Sequence, residues 1–182
     1  MIVNSFLQDL IDGDSKIKNK AYAFNANCWK AALAETFFQT GDTAMAIKVL
    51  EHPFMMNQKG ESNALLQKNG YQLADITSKI RSSTEISKQF NPSILAKMLD
   101  PIESKSLPRF CMAIPVSKVD GAHSHAISID FEKRLIFSPD VRHAFTLTQS
   151  NLDILVPGSD GCYGFHRVYS ITETRKRTFS AL

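Results

Sequence analysis

Cysteine is scarce in this chain, with three among 182 residues. None lies in a Cys-x-x-Cys pair, so a disulfide-dense scaffold and a zinc or dithiol motif are both excluded. Long apolar runs are missing too. No stretch approaches 18 apolar residues, so no transmembrane helix is expected. The opening MIVNSFLQDLIDGDSK has no basic leader and no apolar run of seven, so it does not read as a Sec signal peptide. The expectation is synthesis in the reducing cytoplasm, with any export running through a signal-less secretion system. Charge of one sign is also lacking: 21 basic residues face 18 acidic ones, a net +3. That balance disfavours nucleic acid as a partner. Repeats and low-complexity segments are absent. What is present is a globular composition, 43% apolar and 21% charged, at a length that supports one domain with a real core.

The pattern divides that domain. Residues 1–20 read as an N-terminal arm, with a short helix over 2–11 closed by Asp12-Gly13-Asp14. Residues 21–104 read as helical. Asn25 or Asn27 suits the N-cap of the clearest helix, and Gly41 its C-cap. Between them Trp29, Ala32, Leu33 and Phe37 form one helical stripe. Further helices are predicted over 42–51, over 60–69 (ended by Gly70), and from Pro92 to Leu99, with Asn91 as cap and Asp100-Pro101 as stop. Residues 105–174 switch to period 2. Strands are predicted at Phe110–Val116, Ala122–Asp130, Arg134–Phe137, Ala144–Thr148, Leu152–Val156 and Phe165–Thr172. Such close spacing favours an antiparallel meander. Residues 175–182, with Arg175-Lys176-Arg177, read as a solvated basic tail. Helices first and strands second is an α+β layout: an N-terminal helical layer on a C-terminal antiparallel β-sheet.

Position separates the three thiols. Cys28 falls at the N-terminus of the best helix, where unpaired N–H groups and the helix dipole favour a thiolate. Cys111 sits in the apolar run FCMAIP and reads as a small buried residue. Cys162 sits in the glycine-flanked turn GCYG, open to exposure but without a helix N-terminus to activate it. On the strand HSHAISID, alternation puts His123, His125, Ile127 and Ile129 on one face, which the isoleucines mark as core-directed. A hairpin turn of two or three residues after Asp130 then brings Asp140 back beside the histidines. Cys28, a histidine and Asp140 make a nucleophile, base and orienter for attack on an acyl carbon. The Cys28 N–H, with Asn25 or Asn27, would supply the oxyanion site. No cofactor and no metal are required.

These segments, Asn27-Cys28-Trp29 at a helix start, Ser124-His125-Ala126-Ile127-Ser128-Ile129 on a strand and Phe137-Ser138-Pro139-Asp140 after the next, resemble the papain-like (clan CA) cysteine peptidases. Within them the chain is most similar to the YopT/AvrPphB-type bacterial effector proteases. The resemblance implies a papain-like fold, with Cys28 as nucleophile, His125 as base because it directly precedes Ala126-Ile127, and Asp140 as orienter. It also implies a protein substrate, with a host protein among the candidates. Tyr22 stands where the papain pattern has a glutamine. Glutamine deamidation, transglutamination and acyl transfer use the same thioester and differ in the acceptor.

Two other readings compete. His123, His125, Asp140, His143 and His166 offer a His/carboxylate metal set. Alternatively the histidines and Cys28 are core residues of a non-enzymatic interaction module.

Overall fold

The computed structural model describes residues 7, 28–53, 59–80, 92–117, 125–138, 143–155 and 161–174. From residue 28 the described residues form three helices in turn: α1 (Cys28–Thr40), α2 (Thr43–Glu51) and α3 (Lys59–Lys68). Gly41 ends α1 at φ +95°, a left-handed conformation that a side chain resists. The next residue, Asp42, caps α2 by accepting the Met45 N–H at 3.0 Å. A strand, β1 (Tyr71–Asp75), the single turn α4 (Thr77–Ile80) and α5 (Pro92–Leu99) follow. After a 3-10 turn at Glu103–Ser106 come β2 (Phe110–Ser117), β3 (Ile127–Asp130), β4 (Leu135–Phe137), β5 (Phe145–Thr146), α6 (Gln149–Leu155) and β6 (Cys162–Glu173).

The strands form one antiparallel sheet in the order β1-β6-β2-β3-β4-β5. The expected meander runs through β2 to β5. The last strand then returns across the sheet to lie between β1 and β2. Both outer strands are closed by asparagines: Asn63 accepts the Leu73 N–H on β1 at 3.0 Å, and Asn151 donates to the Thr146 carbonyl on β5 at 2.8 Å.

Helices cover both faces of this sheet, so the arrangement is three-layered, not the single helical layer on a sheet that the chain order suggests. One face carries Leu73, Met112, Ile114, Ala126 and Tyr169 under α1 to α3. The other carries Cys111, Ala113, Ile127, Ile129, Ile136 and Val168 under α4, α5 and α6. Burial on both sides explains why FCMAIPV is apolar at nearly every position. It also moves β3's reading. The Ile127/Ile129 side faces α5 and α6, and the Ala126/Ser128 side faces α1, where the Thr36 hydroxyl bonds Ser128 Oγ at 2.9 Å.

Other expectations are corrected. Residues 152–155, predicted as strand, belong to α6: Thr148 caps it, its Oγ1 accepting the Asn151 N–H at 3.2 Å. Within the predicted strand 122–130, His125 and Ala126 lie ahead of the four-residue strand β3. The β3–β4 turn has four residues, Phe131–Arg134, with Arg134 at φ +57°. Asp130 Oδ1 holds it by accepting the N–H groups of Glu132 and Lys133 at 3.0 and 3.1 Å. The Arg134 guanidinium then donates to the Met98 and Leu99 carbonyls at the end of α5, at 3.2 and 2.8 Å. The predicted helix over 2–11 lies outside the described residues except for Leu7, which is helical and buried. The tail 175–182 lies wholly outside them.

Candidate active site

Cys28 is the first residue of α1 and is half-buried against the cluster that α1 forms with the sheet. The course of α1 decides what lies near it. At its C-terminal end Phe37 stacks edge-on against Tyr71 (centroids 4.8 Å, 71°), and Phe37, Thr40 and Asp42 share a surface pocket with Phe110 and Glu173. Phe110 pairs with Asp130, so this is the far end of β3. Running back nine residues along α1 covers about 13 Å. Running back from Asp130 to Ile127 covers about 10 Å, with His125 two residues further. On this spacing α1 runs along the sheet in the direction of β3, and Trp29, beside Cys28, packs on Tyr169 of β6, two strands from β3. Ala126, next to His125, belongs to the same buried cluster as Trp29 and Cys28.

His125 is buried at 7% exposure, and its Nε2 lies 3.0 Å from Ser138 Oγ. The β3–β4 register makes that contact: Ser128 pairs with Phe137, which puts Ser138 one step beyond it, on the His125 side. The hydroxyl of Ser138, itself buried, is an imidazole partner that the sequence does not announce. The sequence points to a carboxylate, Asp140, in the same segment Phe137-Ser138-Pro139-Asp140. Asp140, His123, Asn25 and Asn27 lie outside the described residues.

The first turn of α1 also carries buried charge. Lys30 is 3% exposed and donates to the His52 carbonyl at the end of α2, 2.6 Å away. Burial pulls its pKa below the usual lysine range, and the Glu61 carboxylate partly offsets that pull. Glu61 also lies 3.3 Å from His52 Nδ1, so His52 is a packing residue between α2 and α3. Trp29 donates its indole N–H to Ser62 Oγ at 2.7 Å and meets Tyr169 edge-on. Further along, Glu35 accepts the Leu7 N–H at 3.2 Å. These bonds fix α1 to α2, α3 and the sheet from several sides.

The other two thiols are sealed on the opposite face. Cys111 is fully buried, and burial pushes its pKa up to about 12. Cys162 is a correction: it opens β6, is fully buried, and points its thiol at the Gly164 carbonyl at 3.4 Å. The Asp153 carboxylate on α6 accepts the Cys162 N–H at 2.7 Å, which anchors the strand start there.

Of the possible metal set, His123 and Asp140 are undescribed and His143 is exposed beside Phe145. Among the described residues no group of three or more His, Cys, Asp or Glu side chains could hold a metal ion. Among those residues, too, no helix is long and apolar enough to cross a membrane. Comparison with protein-family models, with curated proteins and with solved structures finds no match.

Proposed function

We propose that the chain is a papain-like cysteine hydrolase that cleaves an amide bond of a protein substrate through a Cys28 thioester. The observations that support the reading are a half-buried thiol at the start of α1 and, just ahead of β3, a buried imidazole held by Ser138. In this mechanism His125 takes the thiol proton and Sγ attacks the acyl carbon, forming the C–S bond. The carbonyl oxygen becomes an oxyanion held by the Cys28 N–H and an amide of Asn25 or Asn27. Collapse expels the amine, which takes the proton from His125, and water then releases the acid. An Nε2–H donated to Ser138 Oγ puts the basic lone pair on Nδ1, so Ser138 is a positioning residue. Asp140 is assigned to stabilise the imidazolium. Delivery into a host cell as a bacterial effector rests on the resemblance alone.

The test is incubation with a protein mixture and mass spectrometry of the products. Chain cleavage by the wild type, lost in Cys28→Ala and His125→Ala, supports the proposal. Loss of ammonia from glutamine without cleavage assigns the deamidase acceptor instead. An active Cys28→Ala protein contradicts the mechanism, and an active His125→Ala with inactive His123→Ala moves the base to His123.

A further inference from the structure

Away from Cys28, surface pockets cluster where β2 begins, and they differ in how their charges are used. One, of about 390 Å³ beside the β3–β4 turn, is bordered by Arg109 and Arg134. Both cations are already engaged: Arg109 with Asp130 and Glu132, and Arg134 with carbonyls of α5 and Ser104 Oγ. A second holds Asp42, whose two oxygens are taken by the Met45 N–H and the Tyr71 hydroxyl.

The third, also about 390 Å³, lies between α4, α5 and the β1–β6 side of the sheet, on the face opposite α1. That volume falls in the range of small-molecule sites. Its walls include the apolar side chains of Ile76, Ile80 and Leu107, with buried Ser170 at the sheet. Lys79, exposed on α4, and Lys97, half-buried in the last turn of α5, join the lining, and among the described residues no carboxylate lies with them. Neither lysine side chain is engaged in a hydrogen bond or ion pair among the described residues. Apolar walls beside two unspent cations are complementary to a molecule with an apolar body and a negative head.

We propose that this pocket binds a small amphipathic anion, an acid head group on a short alkyl chain, with the chain against Ile76, Ile80 and Leu107 and the head between Lys79 and Lys97. Carboxylate and phosphate heads share this chemistry, and the titration separates them. Octanoate and octyl phosphate are titrated calorimetrically into the full chain, with octanol and inorganic phosphate as half-ligands. Both amphipathic anions, or one of them, bind at least ~10-fold more tightly than either half-ligand, and the tighter of the two names the head group. The double variant Lys79→Gln/Lys97→Gln weakens binding ~10-fold or more, while Lys105→Gln in the neighbouring pocket leaves it unchanged. Octanol binding as tightly as octanoate, an unaffected double variant, or no heat with either anion overturns the proposal. Binding alone is read, so the result stands independently of the chemistry at Cys28.

Discussion

The two faces of the sheet bury similar apolar surfaces but treat their polar groups differently. Under α1 the core admits Lys30, Glu35, Thr36 and Ser128, each with a partner, and leaves one thiol half-buried at the helix start. The opposite face seals Cys111 and Cys162 among Ile76, Ile94, Ile127, Ile129 and Val168. The same side chain is thus half-buried at a helix start on one face and a sealed apolar filler on the other. Accessibility and a helix start separate the cases, not residue type.

The largest effect that sharpens this contrast is on activity. Cys28→Ala is expected to lower amide cleavage by at least about 10³-fold in a turnover assay while leaving the denaturation midpoint unchanged. Cys111→Ala and Cys162→Ala reverse the pattern, keeping activity and losing about 1–2 kcal/mol each in denaturant titrations. A loss of activity in either sealed-thiol variant, at full folding, breaks the comparison.

Next in size is the alkaline limb of stability. Cys111 holds its proton more tightly folded than unfolded, with a pKa of about 12 against an ordinary 9.0. The stabilisation is therefore complete below pH 9 and is lost as pH rises toward 12, up to about 4 kcal/mol across that window. Burial raises the Tyr169 phenol as well, which adds to the loss at the upper end. Removing the thiol in Cys111→Ala should flatten this limb, and chemical denaturation at stepped pH reads it directly.

Two smaller effects probe how α1 is held. Thr36→Val strips Ser128 of its buried partner and is expected to cost about 1–2 kcal/mol. Gly41→Ala meets open space, yet the +95° φ alone should cost about 1 kcal/mol. Equilibrium unfolding of the pair distinguishes a buried polar contact from backbone strain.

Much of this framework was legible in the sequence, and the failures have physical causes. Gly41, Gly70 and Pro92 mark helix ends by backbone chemistry alone, and α1, α3 and α5 end or begin beside them. The stripe Trp29, Ala32, Leu33, Phe37 located α1, but every residue from Trp29 to Phe37 is buried, because Leu7, α2, α3 and the sheet surround it. Strand alternation identified two faces of β3 without saying which met α1, since both are apolar-covered. The run Leu152–Leu155 looks like a strand until the Thr148 cap is weighed, and β1 was hidden by its polar neighbours Gln72 and Asp75. At the candidate site, the place of Cys28 at a helix start was legible by position, and the contact of His125 with the Ser138 hydroxyl was not, because it depends on the β3–β4 register.

The central claim is that Cys28 and His125 act as one unit, and the alkylation rate of Cys28 tests it most directly. Iodoacetamide labelling of the folded protein, followed by peptide mapping across pH, should show Cys28 modified near neutrality while Cys111 and Cys162 react only after unfolding. In His125→Ala the pH dependence of Cys28 labelling should shift and its neutral rate fall. A Cys28 rate unchanged by that substitution, or slower than that of Cys162 in the native state, would contradict the account.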